Sequence, residues 1–169
     1  GGQMPSIELD DGTVFGETTS ICEYLEELHP TPTLIGATAE QRANTRQWIR
    51  RVELNITEHL YNGFRFSEGL DMFRSRVYCI PEAADGLKAK AQDSCKWLDG
   101  LIEGRNFIAG DQFSLPDIIL YCCMDFVKDV GQARDESLKN LAAWFERVDG
   151  RPSASASIFS GSEAMNMRG

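Results

Sequence analysis

The 169 residues suffice for one ordinary domain or a small piece joined to a larger one, and 42% hydrophobic with 25% charged content suits a globular chain with a buried core. A formal net charge of −9, with no run of Lys or Arg, repels polyanions at long range, so nucleic acid and acidic membrane surfaces are not expected partners. No apolar stretch approaches the ~20 residues that cross a bilayer, and residues 1–6 carry neither the basic nor the apolar region of a signal peptide.

In chain order, Ser6-Ile7-Glu8-Leu9 alternates polar and apolar, Asp10-Asp11-Gly12 signals a turn, and Thr13-Val14-Phe15 resumes a β-prone run. This predicts a β-hairpin, which is marginal in water unless other strands or a helix cover it. From Glu17 the period becomes helical, with Ile21, Tyr24, Leu25 and Leu28 on one stripe and Glu23, Glu26 and Glu27 outside it. His29-Pro30-Thr31-Pro32 ends that helix, because a residue before proline is pushed out of the α region. Residues 30–36 read as a linker.

Everything after the linker has helical period. Thr38 and Gln41 form an expected capping box, and Ile49, Val52, Ile56, Leu60 and Phe64 make one apolar stripe. A second long helix carries Ala84, Leu87, Ala91, Cys95, Leu98 and Ile102, with Pro81 near its start and Gly104 past its end. A third carries Ile119, Cys122, Cys123, Phe126 and Val130. A fourth carries Leu138, Leu141, Phe145 and Val148 and stops at Gly150, with Pro152 beyond. The tail from Ser153 is small and polar and is read as poorly ordered toward its end.

Five cysteines, Cys22, Cys79, Cys95, Cys122 and Cys123, are odd in number and lack metal-finger spacing, which implies free thiols in a reducing, cytoplasmic compartment. The adjacent Cys122 and Cys123 sit in an apolar run and are read as small hydrophobes rather than a redox pair. His29 and His59 lie in different elements without acidic or thiol partners at ligand spacing, so no metal site is expected. Asn55-Ile56-Thr57 matches the glycosylation pattern but falls mid-helix and is read as chance. Arg46, Arg50 and Arg51 form a basic cluster opposite the Glu-rich helix near residue 25 and are read as solvated surface or as salt bridges at a dimer rim.

Four segments, in order, resemble the cytosolic glutathione S-transferase family. Gln3-Met4-Pro5-Ser6-Ile7-Glu8-Leu9-Asp10-Asp11-Gly12 resembles the segment where a cis-proline opens the third strand of its thioredoxin-like domain. The resemblance implies a cis Pro5 and a Met4 backbone that pairs with the cysteinyl backbone of glutathione as an added strand does. Gly16-Glu17-Thr18-Thr19-Ser20-Ile21-Cys22-Glu23-Tyr24-Leu25 is similar to the family's Glu/Gln-Ser signature, with Thr in place of the commoner Ser. It implies that Glu17 and Thr18 hold the γ-glutamyl end, a task suited to the free N–H groups and positive dipole end of a helix.

Phe107-Ile108-Ala109-Gly110-Asp111-Gln112-Phe113-Ser114-Leu115-Pro116-Asp117-Ile118 resembles the family's folding motif, with Ser114 as cap, Asp117 reaching back to it, and a Phe113–Ile118 staple. Trp144-Phe145-Glu146-Arg147-Val148-Asp149-Gly150-Arg151-Pro152 is like its late helix and the break after it.

The resemblance implies a mostly α, α+β chain: residues 1–29 as the second half of a thioredoxin-like glutathione-binding domain, 30–37 as linker and 38–169 as an all-helical domain. It implies transfer of glutathione to small apolar electrophiles by a cytoplasmic homodimer, with glutathione as co-substrate and no cofactor. The electrophile pocket is expected between the first part and the helix over residues 39–66, with Trp48, Val52 and Phe64 candidates to line it or the subunit interface. The family's thiol-activating Tyr, Ser or Cys precedes the cis-proline, so no catalytic residue is nominated in this sequence. Three readings stand beside one another: part of a longer enzyme, an incomplete or inactive fragment, or a non-enzymatic relative that binds ligands or assembles complexes.

Overall fold

The computed structural model describes residues 4–158 and 161. Strands β1 (Ser6–Glu8) and β2 (Val14–Gly16) pair antiparallel, with Ser6 opposite Gly16 and Glu8 opposite Val14. The turn closes as the sequence implies: Gly12 takes φ 83°, open to glycine without a Cβ penalty, and Thr13 N–H donates to Asp11 Oδ1 at 2.8 Å. Helix α1 (Thr18–Leu28) packs on the hairpin, where the Phe15 and Tyr24 rings meet edge to face. Of its apolar stripe only Ile21 is buried, whereas Leu25 and Leu28 are exposed among the described residues.

The linker is held from behind by Glu26, which lies outside the apolar stripe of α1. Its carboxylate accepts Thr33 Oγ1–H and Leu34 N–H, each at 2.7 Å, and Ile35 N–H at 2.9–3.0 Å. Ile35 is thereby seated in a small apolar cluster with Ile49 and Leu115, against which Cys22 and Ile118 also pack.

The next helical rod is continuous: α2 (Ala39–Val52), a π-helical segment (Glu53–Thr57) and α3 (Glu58–Arg65). The Thr38–Gln41 box caps it, with Gln41 N–H donating to Thr38 Oγ1 at 3.3 Å. The wide π turn inserts a residue between the two α stretches, and Ile49, Val52, Ile56 and Leu60 all stay on the core side. A short α4 (Leu70–Phe73) precedes α5 (Ala84–Leu101), α6 (Leu115–Lys128), α7 (Lys139–Asp149) and α8 (Pro152–Ala156). No helix among the described residues is long and apolar enough to cross a membrane. The hairpin with α1 is a partial thioredoxin-like unit, and the rest is all-helical.

Helix α6 runs through the centre of the large core, between α2, α3 and α7. Asp117, fully buried in its first turn, organises the region. Its Oδ1 accepts Ile108 N–H and Trp144 Nε1–H, both at 2.8 Å, and its Oδ2 accepts Ser114 N–H at 2.9 Å and Ser114 Oγ–H at 3.1 Å. Burial pushes this carboxyl above the ordinary Asp value, against the pull of those four donors. From α5, Asp99 accepts Leu141 N–H at 2.8 Å and so caps α7 from another element.

Several expectations need correction. The buried face of α6 is Leu120, Tyr121, Cys123, Met124 and Val127, one residue off the anticipated stripe, while Cys122 is exposed and Ile119 and Phe126 are half-buried. The sequence of α6 is apolar almost all round, so periodicity could not fix its rotation. Phe113 lies against Phe107 and under the Arg151 guanidinium, whereas Ile118 joins the second cluster. Residues 152–156 form a helical turn with Ala154 buried; beyond it Ser157, Ile158 and Gly161 are described, and the end of the tail lies outside the described residues.

Candidate functional site

The hairpin register decides what meets at its open end. Because Ser6 faces Gly16, the residues before β1 lie beside those after β2, which brings Met4-Pro5 next to Glu17-Thr18. The approach is close: a Cβ on Gly16 would sit 3.4 Å from the Pro5 carbonyl oxygen. The Met4–Pro5 peptide is cis. Met4 is 92% exposed, and Glu17 and Thr18 are exposed too.

Glu17 stands out by its backbone. With φ 66° it is the single positive-φ residue other than glycine among the described residues. Such a conformation costs about 1–3 kcal/mol and recurs at ligand-binding sites. Glu17 is also the N-cap of α1, yet no side chain caps this helix, and its first turn carries no acidic residue. The contrast with α2 and α6, both closed by capping boxes, is direct. The N-terminus of α1 therefore presents open N–H donors and the positive end of its dipole to solvent.

The helical part supports this turn from behind. Thr19 Oγ1–H donates to Glu53 Oε1 at 2.9 Å, and Arg50 Nη1–H donates to Glu53 Oε2 at 3.1 Å. Glu53 opens the π segment, a distortion frequent at functional sites. One turn on, Arg46 grips Glu23 with Nε at 2.8 Å and Nη2 at 2.9 Å, and this hydrogen-bonded guanidinium holds the Glu23 carboxyl below its ordinary value. Of the basic cluster, Arg46 pairs with Glu23 of α1 and Arg50 with Glu53, which also holds Thr19, 34 positions away.

Other nominated residues lie elsewhere. Trp48 and Val52 are buried in the core rather than lining a pocket, and Trp48 lies near the guanidinium groups of Arg51 and Arg105. Phe64 packs edge to face with Phe73 and Phe126. His29 ends α1 through its backbone, and burial lowers the pKa of His59. Among the described residues no group of His, Cys, Asp or Glu could hold a metal ion. Burial raises the thiol pKa of Cys22, lifts Cys95 to about 11 and takes Cys123 to about 12, so these three thiols are not activated.

Comparison with known proteins gives the family. Residues 1–33 match the model of the glutathione S-transferase N-terminal domain, and residues 78–152 that of its C-terminal domain. The crystal structure of Gtt2 from Saccharomyces cerevisiae superposes with a TM-score of 0.85 at 31% identity, over 93% of this chain and 76% of that one. The chain belongs to the glutathione S-transferase family. Glutathione S-transferase 2 of S. cerevisiae is 30% identical over 157 residues, which are 90% of this chain and 65% of that protein. A Gtt2-class transferase of Vibrio parahaemolyticus superposes with a TM-score of 0.79 at 28% identity, over 99% of this chain and 76% of that one. Eukaryotic translation elongation factor 1 epsilon-1 of Mus musculus is 24% identical over 89% of this chain and 72% of its own length.

Proposed function

We propose that this glutathione S-transferase family member binds glutathione at the open end of its hairpin and transfers it to small apolar electrophiles. The observation that carries the reading is the uncapped N-terminus of α1, with its strained Glu17, set beside the cis Met4–Pro5 edge. The γ-glutamyl carboxylate takes the N–H groups and the Thr18 hydroxyl, and the Glu17 carboxylate pairs with the γ-glutamyl ammonium. The Met4 backbone receives the cysteinyl unit as an added strand. Glutathione is then a co-substrate and no cofactor is invoked. Residues 1–29 serve as the glutathione-binding half-domain, 30–37 as linker and 38–169 as the helical domain that borders the electrophile, in a cytoplasmic homodimer. Activation of the thiol is assigned to no residue of this chain.

A second reading, a binding or complex-assembly module without turnover, draws support from the similarity to the elongation-factor protein. Retention on immobilised glutathione together with conjugation of a chromogenic aryl halide separates the two. Retention with turnover supports the enzyme, retention without turnover the module, and neither result is compatible with a protein that fails to bind glutathione.

A further inference from the structure

The free thiols are unevenly placed. Cys95 and Cys123 are 3% and 0% exposed and belong to the large core. Cys79 lies between α4 and α5, where its Sγ–H donates to the Val77 carbonyl at 3.6 Å. That leaves Cys22 of α1, half-buried, and Cys122 of α6, exposed.

These two come from the hairpin unit and the helical unit and meet where the units pack. Cys22 rests on the cluster of Ile35, Ile49 and Leu115, as do Ile118 and Ile119. Leu115, Ile118, Ile119 and Cys122 stand at i, i+3, i+4 and i+7 of α6 and so share one face, and Cys122 continues the row on which Cys22 rests. Cys123, its neighbour in sequence, is turned about 100° away into the core. The sulfurs of Cys22 and Cys122 also sense one another: burial, then the Asp125 carboxylate, then the charge of Cys22 raise the Cys122 thiol.

We propose that Cys22 and Cys122 form a reversible disulfide that fastens α1 to α6 when glutathione disulfide accumulates. The exposed Cys122 thiolate attacks one sulfur of glutathione disulfide, and the departing glutathione thiolate takes up the proton that Cys122 lost. The Cys22 thiolate then attacks the Cys122 sulfur of this mixed disulfide, and the second glutathione leaves with the proton from Cys22. Two protein thiols are oxidised and one glutathione disulfide is reduced to two thiols. Glutathione disulfide acts here as a free oxidant, so the exchange does not depend on binding at the start of α1. The bond adds a covalent tie to the hydrogen bonds that Thr19 and Glu23 of α1 make with Glu53 and Arg46.

The test is equilibration of the protein with glutathione disulfide at about pH 8.5, where more of both raised thiols is ionised. Free thiols are then blocked with iodoacetamide and the peptides mapped by mass spectrometry. The expected result is a peptide pair joined through Cys22 and Cys122 and released by dithiothreitol, with the melting temperature of the linked protein raised by about 5 °C. Cys122→Ser, at an exposed position, abolishes both, and Cys22→Ser abolishes both while leaving glutathione attached to Cys122. Recovery of Cys22 and Cys122 unlinked from the unaltered protein overturns the proposal. So does a bond from Cys122 to Cys123 or to a second molecule, or a linked protein whose melting temperature does not rise.

Discussion

Replacing Asp117 by Ala removes the acceptor of four hydrogen bonds at once. It strands the Ile108 and Ser114 backbone N–H groups and the Trp144 indole N–H in a region where Asp117 has no solvent exposure. Each stranded donor costs about 1–3 kcal/mol, and a water entering the vacated space recovers part of that. The expected net loss is about 4 kcal/mol, a large share of the roughly 5–15 kcal/mol that holds a domain together. In urea, with a slope of about 2 kcal/mol per molar, the unfolding midpoint by far-ultraviolet circular dichroism falls by ~2 M at unchanged slope. Asp117→Asn keeps one acceptor oxygen and falls in between. Trp144→Phe removes a donor rather than stranding one, so the double variant Asp117→Ala/Trp144→Phe loses less than the sum of the singles. A loss under about 1 kcal/mol for Asp117→Ala, or strict additivity with Trp144→Phe, refutes the buried carboxylate as organiser of this region.

Three further outcomes follow from the structure. Thr38→Ala opens the Thr38–Gln41 box and lowers stability by about 1 kcal/mol, read as a midpoint shift in the same assay. Glu17→Gly relieves the positive φ and raises stability by about 1 kcal/mol after the entropy of glycine is subtracted, read as a higher melting temperature, while weakening glutathione binding. Glu23 has a folded pKa below its ordinary 4.5 because of Arg46, so its contribution is present above that value and lost as pH falls through the lower folded one. In Glu23→Gln the acid-side decline of the melting temperature is shallower; equal declines in both proteins refute the assignment.

Local chemistry was readable and tertiary chemistry was not. The Thr38–Gln41 and Ser114–Asp117 boxes act between residues three apart, and the hairpin turn is set by Asp11 and Gly12, so sequence spacing is enough to see them. Glu26, Glu53 and Asp99 look like ordinary charged residues on helices. Their partners at Ile35, Thr19 and Leu141 exist only once separate elements meet. Periodicity does not fix the rotation of α6, because Ile118-Ile119-Leu120-Tyr121-Cys122-Cys123 offers no charged residue to mark the outer face. At the site, Met4, Glu17 and Thr18 were nominated through motif resemblance. The strain at Glu17 and the open end of α1 emerged only with the backbone.

The most direct measurement is calorimetric titration of glutathione into the protein, repeated with Thr18→Val and Glu17→Gln. Saturable binding is expected, weakened about fivefold by loss of the Thr18 hydroxyl, near 1 kcal/mol, and about tenfold by loss of the Glu17 charge. Binding that is absent at millimolar glutathione, or unchanged in both variants, contradicts the placement of the γ-glutamyl group at the start of α1.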